Sequence, residues 1–141
     1  ILVAVLSTIG CTPAEDDIVV EGSVENQSFT ANSGTARQVS DGSYVLTLSN
    51  SSDFTCDSEP DVEYLTVVLS NFEETGEYSA SGNVLFNSIE GDVTNQEGAT
   101  SGRFYVEIFD EASDPYITGD LEVTGRDSRA NGTFEVPICD P

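Results

Sequence analysis

The chain predicts an all-β protein, an antiparallel β-sandwich of about 7 to 9 strands, with a small antiparallel barrel as the alternative. Three observations carry that expectation. Apolar residues recur every second position, which places them on one face of a strand. Turn signals rich in Gly, Asp and Asn interrupt the pattern at intervals of roughly 8 to 14 residues. No segment sustains a helical period over a useful length. The 141 residues fall within the roughly 100 to 200 typical of one domain. The expected organisation is a signal remnant over residues 1–10, a tether over 11–17 and a single sandwich domain over 18–141.

The first strand follows from Ile18, Val20, Gly22 and Val24, which alternate with Val19, Glu21, Ser23 and Glu25. One face is apolar and the other mostly acidic, as on a half-buried strand. Phe29 lies in a short β-prone piece, and residues 35–40 form a further strand before Asp41-Gly42. Asp-Gly favours the positive backbone angles of a tight hairpin, so the chain should reverse there into residues 43–49. Tyr44, Leu46 and Leu48 then share a face. Residues 50–61 read as a loop carrying Cys56. The run over residues 62–70 has apolar members on both faces, Leu65, Val67 and Leu69 against Val62, Tyr64 and Val68, which predicts a central strand covered on both sides.

Residues 77–80 and 84–89, flanked by Gly76, Gly82 and Gly91, read as a hairpin. A polar connection with a short strand near Val93 follows. Over residues 103–109, Phe104, Val106 and Ile108 oppose Tyr105, Glu107 and Phe109, and residues 110–115 form a turn. Ile117, Gly119, Leu121 and Val123 begin the last hairpin, which turns at Asn131-Gly132 and returns through Phe134, Val136 and Ile138. Pro137 cannot donate to a ladder, so this strand is expected at an edge or with a bulge.

Composition narrows the chemistry. The chain has 4 Lys plus Arg, all of them arginine, against 26 Asp plus Glu, for a net charge of -22, and it contains no histidine. Imidazole bases, Schiff bases and ammonium clamps are therefore excluded, and with them the Ser-His-Asp, Cys-His and Ser-Lys arrangements. Nucleic acid is not an expected partner, because binding it requires neutralising phosphates with basic side chains. Disorder is not expected either: 38% of residues are hydrophobic and 9% aromatic, and they are arranged periodically. The acidity reads as a hydrated, self-repelling surface that salt screens.

Residues 1–9 form an uncharged apolar stretch followed by Gly10 and Cys11. It is too short to span a bilayer, which takes about 20 residues, and it reads as the middle and end of a secretory signal whose charged start lies upstream. Ser7-Thr8-Ile9-Gly10-Cys11 resembles the lipobox of bacterial lipoproteins, with Thr8 where leucine is more usual. The resemblance covers these residues only. It implies cleavage before Cys11, acylation of Cys11 and a membrane partner reached through that lipid. Thr12 in place of Asp implies the outer membrane or cell surface. Ordinary signal cleavage near Ala14, giving a periplasmic or secreted soluble protein, is the alternative.

With Cys11 lipidated or removed, Cys56 and Cys139 remain as one pair, expected to form a disulfide in an oxidising compartment. Two free thiols are the alternative. A zinc site is not expected, since two cysteines without histidine do not supply four soft ligands.

The remaining candidates rest on oxygen and aromatic chemistry. Calcium takes six to eight oxygen ligands and needs neither histidine nor thiolate. Two acidic loops offer them, one with Asp53, Asp57, Glu59 and Asp61, the other with Asp110, Glu111 and Asp114. Neither matches the EF-hand spacing. Glu107 sits between Tyr105 and Phe109 on one strand face, so these three are candidate ligand-binding residues, with a carboxyl open to desolvation by its neighbours. Tyr64, Tyr78, Tyr105 and Tyr116 could stack on sugars. The expected function is an exported, lipid-anchored cell-envelope protein acting as a non-enzymatic binding or structural module for a protein or glycan partner. A calcium-dependent extracellular glycan-binding module and a carboxylate-based glycoside hydrolase are the alternatives.

Overall fold

The computed structural model describes residues 17–58, 65–90 and 93–140. These residues form eleven strands and no helix. They are β1 (Val19–Val24), β2 (Gln27–Thr30), β3 (Ser33–Gln38), β4 (Tyr44–Ser49), β5 (Leu65–Phe72), β6 (Gly76–Ser79), β7 (Val84–Glu90), β8 (Val93–Gly98), β9 (Ser101–Phe109), β10 (Tyr116–Thr124) and β11 (Arg129–Pro137). One sheet runs β2-β1-β11-β10-β9-β6 and the other β3-β4-β5-β7-β8, with every ladder antiparallel. The sheets stay open, as in a sandwich, and do not close into the alternative barrel. The strand count exceeds the expected 7 to 9 because the short pieces at β2, β6 and β8 each pair as edge strands.

The period-two pattern became the core. Val20 and Val24 of β1, Leu46 and Leu48 of β4, Val67 and Leu69 of β5, Phe104 and Val106 of β9, and Ile117, Leu121 and Val123 of β10 are all buried. They belong to a single cluster between the sheets. An aromatic group bolts the two layers together at one end. Tyr44 and Phe72 of the smaller sheet stack at 5.9 Å between centroids, and Phe72 meets Phe104 of the larger sheet edge-on at 5.7 Å. Tyr78 stacks on Phe104 at 5.5 Å. The core face of β5 changes from odd to even positions before Phe72, since the register with β4 shifts there and Asn71 has φ 62°. This bulge is what aims Phe72 inward. β5 is central in its sheet, with Leu65, Val67 and Leu69 buried on one face and Thr66 buried on the other. Val62 and Tyr64 lie outside the described residues.

The Asp41-Gly42 hairpin forms between β3 and β4. Gly42 has φ 94°, and Asp41 Oδ1 accepts from the Ser43 N–H at 2.9 Å and from Ser43 Oγ at 2.7 Å. Three other expectations are corrected. Residues 77–80 and 84–89 are not a hairpin: β6 pairs with β9 and β7 with β5, so the Gly82 turn carries the chain from one sheet to the other. Asn131-Gly132 is not a turn but lies inside β11, and the reversal occurs at residues 125–128. Gly132 has φ 140°, and a Cβ there would run into the Val19 carbonyl, so glycine lets β1 approach β11. Finally, β11 is an interior strand. Its pairing with β1 ends at Thr133, and the Ile138 N–H points to Pro115 on the β10 side. Pro137 therefore turns its missing donor toward a side where β1 has already ended.

Candidate functional site

The ligand candidates collect around the end of β9 and β10. Tyr105, Glu107 and Phe109 follow one another on the outer face of the larger sheet, opposite Asp120, Thr118 and Tyr116 of β10. Alternation explains the placement, because Phe104 and Val106 take the inner face. Phe109 and Tyr116 stack at 4.7 Å, forming a half-exposed aromatic platform. Glu107 itself is exposed, so its aromatic neighbours do not bury it. Tyr105 sits nearer the sheet centre in a shallow depression with Thr118, Asp120, Thr133 and Glu135.

Beside the platform lies a groove of about 670 Å³. Its walls come from the β3–β4 turn, the 110–115 loop and the chain's last described residues, including Val39, Tyr44, Asp110, Glu111, Pro115 and Cys139. Cys139 is bonded to Cys56, with Cα atoms 5.3 Å apart, and the Cys139 N–H donates to Ala36 at 2.7 Å. The Cys56 loop is held in turn by Arg37, which donates to the Cys56 carbonyl at 2.8 Å. At the groove floor, the hydroxyl of buried Tyr44 donates to Asp110 Oδ2 at 3.3 Å. Burial, the Asp110 charge and this hydrogen bond all push the Tyr44 phenol above its ordinary range.

Among the described residues, no three His, Cys, Asp or Glu side chains gather in a way that could hold a metal ion. Asp53 and Asp57 are exposed, with their backbone amides tied to Ser51 and Thr55 side chains. Asp110, Glu111 and Asp114 are exposed along their loop. Glu59, Asp61, Tyr64 and Cys11 lie outside the described residues. Tyr78 is not an open stacking surface: its ring packs on Phe72 and Phe104, and its hydroxyl donates to the Glu74 carbonyl at 2.7 Å.

A second groove, about 410 Å³, lies where β9 begins and β10 ends. Glu97 of β8 reaches across to the turn after β10, accepting from the Asp127 N–H and from Ser128 Oγ, each at 2.7 Å. Partial desolvation pushes its carboxyl up. The hydrogen bonds from Ser128, Asp127 and Arg126, with the Arg126 charge, outweigh this and hold it below the ordinary glutamate range. Sequence reasoning missed both Tyr44 and Glu97 as site residues. Their partners lie 66 and about 30 positions away, and no local pattern announces such a contact. Searches of protein-family models, curated proteins and solved structures give no match to this chain.

Proposed function

We propose that the chain is an exported, lipid-anchored cell-envelope protein that acts as a non-enzymatic binding module, presenting the groove beside Cys139 to its ligand. The Cys56–Cys139 bond carries this reading. Such a bond persists in an oxidising compartment, which agrees with the lipobox-like residues that end at Cys11. The groove wall is fastened by that bond, so the binding surface is preorganised rather than assembled on contact. The non-enzymatic part of the reading rests on composition, since the chain holds no histidine and no lysine for the common acid–base and nucleophilic arrangements.

The test is expression of the chain behind a complete leader in a Gram-negative host, followed by intact mass of the detergent-extracted protein. Acyl mass on Cys11 and the mass deficit of an oxidised cysteine pair are expected, and Cys11→Ser should move the protein to the soluble fraction. A Cys11→Ser chain still sedimenting with membranes, or an extracted chain without acyl mass, overturns the anchor.

One observation favours the glycan-binding half of a second reading, an extracellular glycan-binding module. The Phe109–Tyr116 platform adjoins the Asp110 and Glu111 carboxylates, an aromatic surface beside polar groups of the kind that line small-molecule sites. Nothing comparable favours calcium dependence, since no three described carboxylates gather to hold an ion. A glycan array decides it: absence of binding, or binding unchanged in Tyr116→Ala, removes it.

A further inference from the structure

Exposed sheet edges invite pairing with other chains, and folded proteins blunt them by brevity, charge, proline, bulges or a cover. Among the described residues, three of the four edges are blunted. β2 and β6 have four residues each. β3 is covered where Ile138 bridges Ala36 and the Cys139 N–H donates to the Ala36 carbonyl. β8 is the exception: it has six residues, an unbroken register with β7 and no proline, and Val93, Thr94, Asn95 and Gln96 are all exposed.

The direction of its open groups is fixed by the ladder. Ala99 donates to the Val84 carbonyl, so by alternation the main-chain groups of Asn95 and Glu97 face β7 while those of Thr94 and Gln96 face the open edge. The side chains divide as well. Asn95 and Glu97 stand opposite Ser88 and Phe86, both buried, and so lie on the face turned toward the larger sheet. The groove of about 410 Å³ is lined by Asn95, Gln96, Glu97 and Gly98 in succession. Consecutive residues of a strand point to opposite faces, so a groove that touches all four follows the edge itself. Its other wall carries Glu25, Arg126 and Asp127. Three carboxylates therefore stand against one guanidinium, and that guanidinium is already drawn to Asp127 at 3.7 Å, with its side chain 87% exposed.

We propose that the β8 edge takes an extended segment of a basic partner protein as an added antiparallel strand, with an arginine of that segment in the groove. The segment residues opposite Thr94 and Gln96 exchange main-chain hydrogen bonds with them. The residue between them, opposite Asn95, is the arginine. Its side chain falls on the inner face, beside Glu97 and toward Glu25 and Asp127, while its own N–H turns away from β8. Two positions on, the same face meets Val93, which is 57% exposed, so an apolar residue belongs there. Pairing goes no further than Gln96, because the Gly98 carbonyl already adjoins Gly125. The recognised segment thus reads polar, basic, polar, apolar. Charge selects this occupant over a second copy. A chain of net charge -22 repels its copies and attracts a basic strand, and salt weakens that attraction.

The test is amide NMR of the Cys11→Ser chain, in which no acyl group contributes, titrated with the peptide acetyl-Thr-Arg-Thr-Val-amide. Shifts centred on Thr94 and Gln96, with slower exchange of their N–H groups, are expected at about 0.1 M NaCl. Affinity should fall several-fold at about 1 M, where the screening length shrinks from roughly 10 Å to 3 Å. Replacing the peptide's arginine by glutamine should weaken binding several-fold, and replacing it by glutamate should abolish it. Methylating single peptide nitrogens separates strand pairing from plain attraction of a cation. The arginine N–H faces away from β8, so its methylation leaves binding intact, whereas methylation of the second threonine, opposite Thr94, removes it. Equal binding of the two methylated peptides, shifts spread over other acidic surfaces, or no shift at either salt overturns the proposal. Concentration-dependent protection of Thr94 and Gln96 without peptide assigns the edge to a second copy and overturns it as well.

Discussion

The two ends of the β9–β10 pair are fastened by different chemistry. Where Phe109 meets Tyr116, the sheets are joined by the Cys56–Cys139 bond and by Tyr44 on Asp110, from which aromatic contacts run through Phe72 to Phe104 and Tyr78 at the middle of the pair. Where Ser101 meets Thr124, the link between β8 and the turn after β10 is a carboxylate, Glu97, accepting from Asp127 and Ser128. Covalent and apolar contacts are indifferent to pH over most of its range. A carboxylate clamp holds only while ionised. The groove that we assign to the ligand thus sits at the unconditional end, and the open β8 edge at the conditional one.

The largest test of this contrast is removal of the covalent staple. Replacing Cys56 and Cys139 together by serine releases a constraint spanning 83 residues. The chain-entropy relation then gives a loss of about 4 to 5 kcal/mol. Chemical denaturation should show that loss, with amide exchange rising first around the Cys56 loop. A loss below about 1 kcal/mol would mean that the aromatic group alone holds this end.

Glu97→Gln tests the other end, with an expected loss near neutrality of about 1 kcal/mol, typical of weakening a hydrogen-bonded group. The sign follows from linkage. The folded carboxyl lies below its ordinary value of 4.5, so its contribution is complete above that value and fades as pH falls through the lowered one. The parent chain should therefore converge on the variant in acid. A stability difference that stays constant down to strongly acid pH would remove the clamp from the account.

The smallest effect belongs to Tyr44→Phe, which deletes a 3.3 Å hydrogen bond to Asp110 and should cost less than about 1 kcal/mol. Its signature is alkaline. The folded phenol is raised above 10.0, so its stabilisation is intact below that value and disappears as pH rises through the folded one. Ultraviolet titration should lose its latest-ionising tyrosine in the variant. An unchanged titration curve would dissociate Tyr44 from the groove floor.

Much of the core was legible, because inward residues such as Leu46, Leu48, Phe104 and Val106 obey an alternation that any short window reveals. The meaning of glycine was not. Asp41-Gly42 and Asn131-Gly132 look alike locally, yet Gly42 turns a hairpin and Gly132 admits a neighbouring backbone. Likewise the residues around Gly82 signal a reversal without saying whether the chain returns in its own sheet or crosses to the other. Of the site, the Tyr105, Glu107 and Phe109 row was readable as a strand face. The groove was not, since its walls are drawn from residues near 39, 110 and 139, which only tertiary pairing brings together. The disulfide stood between, for cysteine arithmetic named its partners while saying nothing of what they enclose.

The pairing of β1 with β11 has a temporal consequence. Val19 lies opposite Thr133, so β1 cannot find this neighbour until every intervening strand of the fold is available. Until then β1 has only β2 beside it, and the larger sheet is split into two unconnected parts. Closure by β11 is a slow, long-range event, and the larger sheet stays incomplete until it happens.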